Sequence, residues 1–265
     1  MTFPNYPNKH EHDSLLTAAD IVAYRRHLGR MPDADSLKGL LFCLERGLPR
    51  RLRRQVWIRK AGSMLGDLYL VRRTGKRVGV MDNFGGGAPI VAELAEELVA
   101  MGVERLILMT WGGTLQPDLA PGDVVVCDRA IRDDGTSHHY LPPAKTVSAS
   151  PELAQRLANA IRARGAKCTI GTTWTTDAPY RETPQEVAQY QKEGVKTVEM
   201  ESSALFTIGQ VRQVQTVSAV VVMDSLANMR WEVPERIDKI QHSLETVYKA
   251  AVDVLREYKE NSSHE

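Results

Sequence analysis

The chain alternates short apolar runs with longer amphipathic ones along most of its length, and that alternation limits the fold more than any other feature. Strand-like runs fall at 39–44, 67–72, 77–82, 104–110, 123–131, 167–173, 195–199 and 216–223. Helical spacing falls at 89–101, 151–164, 184–193, 201–211 and 235–259, and Ser14 to His27 carries Leu15, Leu16, Ala19, Val22 and Ala23 at helical intervals. In the last helix Ile237, Ile240, Leu244, Val247, Ala251, Val254 and Tyr258 trace one apolar stripe. A βα alternation of this length predicts an α/β fold, with a mainly parallel or mixed sheet covered by helices on both faces. Without repeats or a linker, the pattern divides into an N-terminal arm and helix (1–26), one domain (27–259) and a disordered tail (260–265).

In such folds the working groups collect at the carboxyl ends of the strands. The segment after 77–82 reads Asp82-Asn83-Phe84-Gly85-Gly86-Gly87-Ala88-Pro89 and opens a helix. Its glycines let backbone N–H groups approach an anion, although a plain tight turn would look the same. The run 104–110 ends at Thr110 and is followed by Trp111-Gly112-Gly113-Thr114. Later junctions read Arg132-Asp133-Asp134-Gly135-Thr136-Ser137-His138-His139-Tyr140, then Trp174-Thr175-Thr176-Asp177-Ala178-Pro179-Tyr180-Arg181. The final two are Val198-Glu199-Met200-Glu201-Ser202-Ser203 and Met223-Asp224-Ser225. Glutamates flanking a methionine at a strand-to-helix junction have two readings: capping of the helix, or a carboxylate kept in a buried corner by something it binds. Successive polar tips, several of them carboxylates, favour a shared site over scattered capping.

Composition removes other classes. With 34 basic and 33 acidic residues the net charge is +1, so no global field points to nucleic acid or a membrane surface. The basic block Arg46, Arg50, Arg51, Arg53, Arg54, Arg59, Lys60 reads as a solvated face. Three scattered cysteines (Cys43, Cys127, Cys168) fit neither a disulfide framework nor a zinc site, and His10 and His12 sit in a polar leader. No signal-like run and no stretch of ~20 apolar residues is present, and a soluble cytoplasmic protein is expected.

The order of the junctions resembles the nucleoside phosphorylase-I family, which holds uridine phosphorylase, the hexameric purine nucleoside phosphorylases and methylthioadenosine nucleosidase. The likeness runs from about His27 to Tyr258. Val198-Glu199-Met200-Glu201-Ser202 is its most specific element, supported by Gly85, Gly87 and Pro89, by 115–126 (LQPDLAPGDVVV) and by the Asp134-Gly135-Thr136-Ser137 loop with Tyr140. The resemblance implies a three-layer αβα sandwich with a mixed, partly closed central sheet. It implies cleavage of a nucleoside N-glycosidic bond with phosphate as co-substrate, no metal or organic cofactor, a homo-oligomer and a role in purine salvage.

By the same resemblance, Glu201 and Asp224 are the catalytic pair. Glu201 takes ribose hydroxyls, with Met200 against the sugar, and Asp224 protonates N7 of a purine. Glu199 faces the base or is structural. Thr110, Trp111, Asp177 and Tyr180 are expected substrate contacts, with Trp111 or Trp174 replacing an aromatic lost at Pro179. His27 is expected to reach a neighbour's ribose. Phosphate falls to Gly47, Arg51, Gly85 and Gly87. The short span between Arg181 and Glu199 lacks the Gln/Arg-bearing insert of the pyrimidine enzymes, which favours purine.

Two departures touch the phosphate site. Leu108 stands where the family has a second arginine, and Trp111 fills a Ser/Thr contact position. Arg59 is the nearest match for a neighbour's third arginine. Phosphorolysis remains the favoured expectation, with a phosphate-independent nucleosidase and a non-catalytic nucleoside-binding relative as alternatives.

Overall fold

The computed structural model describes residues 6–257. After a single 3-10 turn at Lys9–Glu11 come α1 (Ala18–His27), β1 (Gly39–Cys43), α2 (Leu48–Arg51), α3 (Arg53–Val56), β2 (Ile58–Ser63), β3 (Asp67–Val71) and β4 (Val78–Asp82). The chain continues through α4 (Ala88–Ala100), β5 (Arg105–Thr114), β6 (Val124–Asp133), β7 (Thr146–Ser148), α5 (Pro151–Arg162), β8 (Cys168–Thr176) and α6 (Pro184–Lys192). It finishes with β9 (Thr197–Glu199), α7 (Ser202–Arg212), β10 (Gln215–Ser225) and α8 (Asp238–Arg256). The expected tail at 260–265 and the first five residues of the arm lie outside the described residues.

The sheet is mixed and runs β10-β6-β8-β9-β5-β1-β4-β3-β2, with β10 pairing β5 as well. That extra pairing closes β5, β10, β6, β8 and β9 into a ring. β10–β5, β6–β8 and β8–β9 are parallel, whereas β10–β6 and β9–β5 are antiparallel. β1 and β4 extend the ring in parallel, and β3 and β2 follow antiparallel. β1, buried along its whole length, is sandwiched between β4 and β5. Helices α5 and α8 pack together as one group and α4 packs with α7 and α1 as another, so the sheet lies between helical layers as expected. α7 is buried from Ser202 to Gly209, and α7 therefore sits inside the molecule instead of on its surface. No described helix is long and apolar enough to cross a membrane.

Two local expectations change, and the basic block, solvent-exposed as expected, gains a strand. The first helix begins at Ala18, because Thr17 and Asp20 form a capping box there. Leu15 (107% exposed) and Leu16 (64%) stay outside it. Part of the basic block forms β2, an edge strand whose Arg59 and Lys60 face solvent; charge on an edge discourages pairing with another chain. β5, β6, β8 and β10 also run two to four residues beyond the ends of their apolar runs, carrying polar junction residues inside the sheet.

Candidate active site

The carboxyl ends of β5, β9 and β10 open on a cavity of about 590 Å³, a size suited to a small ligand. Glu201, Met200, Asp224, Thr110, Trp111 and Tyr180 line it together, so most of the expected substrate contacts meet in one place.

The two glutamates separate their tasks. Glu199 Oε2 accepts the backbone N–H groups of Glu201 and Ser202, both at 2.8 Å, and its Oε1 accepts Thr175 Oγ1 at 2.6 Å. It is the cap of α7. Burial, then the neighbouring Glu201 charge, pushes its carboxyl up to about 7. Glu201 instead reaches across to the N-terminus of α4. Its Oε1 accepts the Gly87 N–H at 2.7 Å and its Oε2 accepts Thr110 Oγ1 at 3.2 Å. Burial raises this carboxyl too, opposed by those donors. A helix N-terminus after positive-φ glycines is an anion cradle, and here its occupant is the chain's own Glu201. Gly85 (φ 89°) and Gly87 (φ 96°) shape that turn, and a Cβ on Gly86 would stand 3.2 Å from Glu201 Oε1. The Gly87 N–H, expected to face phosphate, is thus taken by the Glu201 carboxylate.

The serines that follow are anchors. Ser202 Oγ lies 2.7 Å from Ser218 Oγ, and Ser203 Oγ donates to buried Asp134. Asp134 also receives Ser137 N–H at 2.7 Å and Ser137 Oγ at 2.8 Å, while Arg132 holds Ser137 Oγ and the Pro142 carbonyl. The polar loop after β6 is therefore a clamp on α7. Asp177 belongs to it: its Oδ2 accepts the Gly135 N–H at 2.7 Å, and it does not line the cavity.

On the opposite wall, Asp224 ends β10 beside a register shift against β5. Burial raises its carboxyl, and an N–H from Trp231 Nε1 at 3.0 Å opposes the rise. Trp231, with Met229 and Arg230, lines the cavity and had no signal in the sequence beyond the turn-forming Asn228. Glu182 was also missed. It lines the cavity, and burial followed by the charges of Asp224 and Glu186 pushes it up to about 7. Tyr180 stands at the rim, 99% exposed. Trp174 is 1% exposed and stacks near Tyr190 at 4.9 Å while its Nε1 donates to Asp133. It is core, so Trp111 and Trp231 supply the aromatic surface.

The expected phosphate residues do not converge on this cavity. Gly47 (φ 78°) donates its N–H to Asp82 Oδ2 at 3.0 Å, and Arg51 points toward Glu245 at 3.6 Å. Arg59 pairs with Asp33 on the edge strand, and Leu108 is wholly buried. The one cationic side chain among the described lining residues is Arg230, paired with Glu232 at 2.6 Å, against four carboxylates: Glu182, Glu199, Glu201 and Asp224. His27 sits exposed at the end of α1, outside its own cavity.

A family model described as "Phosphorylase superfamily" matches residues 60–256. The chain belongs to the phosphorylase superfamily. Among curated proteins, this superfamily member is 32% identical to a uridine phosphorylase of Haemophilus influenzae over 49% of the chain and 57% of that protein. It is 29% identical to a uridine phosphorylase of Treponema pallidum over 65% of the chain and 70% of that protein. It is also 31% identical to a DeoD-type purine nucleoside phosphorylase of Caldanaerobacter subterraneus over 57% of the chain and 66% of that protein. The match thus spans little more than half of the first of these relatives. The crystal structure of a uridine phosphorylase from Vibrio fischeri superposes with a TM-score of 0.70 at 22% identity, over 85% of this chain and 93% of that one, which shows the shared fold.

Proposed function

We propose that this phosphorylase-superfamily chain is a pentosyltransferase, a nucleoside phosphorylase that cleaves the N-glycosidic bond of a purine nucleoside to give free base and pentose-1-phosphate. The observation that carries this reading is the placement of Glu201, Met200 and Asp224 in one cavity, with the Glu201 carboxylate held by the N-terminus of a helix. As the bond from sugar to base lengthens, positive charge grows on the ribose, and the Glu201 carboxylate stabilises it while accepting sugar hydroxyls. Met200 offers a polarizable apolar surface to the ring. The bonding pair leaves with the base, Asp224 delivers a proton to N7, and a phosphate oxygen bonds the anomeric carbon. A carboxyl raised by burial is suited to hold that proton. A purine fits the Asp224 assignment, because N7 is the atom that takes the proton. A homo-oligomer fits as well, since His27 is exposed, as reaching a neighbour's site requires.

A second reading has specific support. With Arg51 outside the cavity, Leu108 in the core and four carboxylates lining the cavity, an anionic nucleophile meets little attraction, and water would serve instead. A panel of purine and pyrimidine nucleosides, run with and without phosphate and followed by base release and sugar-1-phosphate, tests both. Phosphorolysis predicts that base release stops without phosphate. Equal turnover in its absence, giving free pentose, selects the nucleosidase.

A further inference from the structure

Asp224 needs its carboxyl aimed as well as protonated, and the aim comes from outside its own strand. Beyond β10 the chain turns through Leu226 to Arg230 and returns. Ser225 and Glu232 exchange both backbone N–H···O bonds at 2.9 Å, and Met229, at φ 57°, donates its N–H to the Leu226 carbonyl. The hairpin is tied down at two points, by the Leu226 N–H to the Thr114 carbonyl and by Gln191 Nε2 to the Ala227 carbonyl, both at 2.9 Å. This places Trp231 beside Asp224, where the indole Nε1 donates to Oδ2 at 3.0 Å. The other oxygen, Oδ1, lies against Gly113 on the cavity wall, so close that a Cβ there would stand 2.6 Å from it.

Resting on the nucleoside-cleavage reading, we propose that Trp231 is a positioning residue for the general acid: its indole N–H claims Oδ2 and leaves Oδ1, on the cavity wall, to carry the proton to the base. The chemistry follows from hydrogen-bond polarity. An oxygen that accepts an N–H serves as the carbonyl oxygen of the neutral acid, so the hydroxyl is the other one. The indole face then adds apolar wall beside the base. The charged groups facing Asp224 are Glu182 across the cavity and, on the hairpin, Arg230 and Glu232, which pair with each other.

Trp231→Phe keeps the ring and removes the N–H at a residue 69% exposed, leaving the core packing untouched. Carbon-detected NMR of labelled aspartate in the ligand-free protein reads the Asp224 carboxyl directly. An N–H bond favours the charged form, so its loss raises the Asp224 pKa, by about one unit. In turnover, kcat/KM on a purine nucleoside falls about 10-fold and the alkaline limb moves to higher pH. An activated nucleoside whose leaving group needs little protonation loses much less. An unmoved Asp224 pKa overturns the proposal. So does a loss confined to KM and equal on both substrates, which would make Trp231 a packing surface only. If the wild-type chain cleaves no nucleoside, the cleavage reading falls, and the proposal, which rests on it, falls with it as a statement about a general acid. The carboxyl titration separates the two failures, because it reports the Trp231–Asp224 bond without substrate.

Discussion

Glu182 shows how one side chain records its surroundings. It lines the cavity with no hydrogen-bond donor among the described residues holding it, and burial and two neighbouring carboxylates push it up to about 7, above its ordinary 4.5. A carboxyl whose folded pKa lies above its unfolded value stabilises the fold most below the unfolded pKa, and that contribution is lost as pH rises through the folded one. Glu182→Gln should therefore gain melting temperature relative to the wild type between pH about 4.5 and about 7. The gain is limited to a degree or two, because the group is partly exposed and screened. A pH-independent difference between the two proteins would contradict the assignment. Glu199 and Glu201 make the complementary point: the same residue type, two positions apart, caps its own helix in one case and spans to the start of α4 in the other, according to which donors its oxygens reach.

At the scale of the element, β5 explains the Trp111-Gly112-Gly113-Thr114 motif. Closing the ring squeezes this strand between β9 and β10, so a Cβ on Gly112 would lie 2.1 Å from the Val198 carbonyl oxygen and one on Gly113 would meet Asp224. Gly113→Ala should displace the Asp224 carboxyl while leaving the sheet intact, because the atom it meets ends a side chain. A shift near 1 Å can lower turnover by up to ~100-fold. Steady-state kinetics beside a melting curve checks this, and unchanged kcat/KM would contradict it. The apolar half of β5 was legible in the sequence, whereas its glycine half read as a junction beyond the strand, since residues without side chains show no alternation. β2 escaped for the related reason that only Ile58, Ala61 and Gly62 are even partly shielded, leaving no period of two. Glu201, Met200 and Asp224 were legible because motif and strand end coincide. Trp231 and Glu182 were not, because only the hairpin and the turn before α6 carry them to the cavity. Gly87 was read as a phosphate ligand because sequence shows a cradle but not its occupant.

Across the whole molecule, the ring brings strand ends from β5, β9 and β10 together, while α4, from the first half of the chain, contributes the N-terminus that holds Glu201. The site is thus an assembly of distant segments, and its central element is the buried Glu201 carboxylate, which the proposed function assigns to the sugar. Glu201→Gln keeps the shape and removes the charge. Each charge-assisted bond is worth roughly 1.5–3 kcal/mol, so kcat/KM on a ribonucleoside should fall about 10- to 150-fold, with a smaller fall on its 2′-deoxy analogue if the 2′-hydroxyl is among the groups bound. The most direct measurement is kcat/KM of this variant on the two substrates, with its melting temperature alongside. The sugar-ligand assignment predicts a large loss, greater for the ribonucleoside; near-normal kcat/KM on both with a lowered melting temperature would make Glu201 a structural group and contradict it.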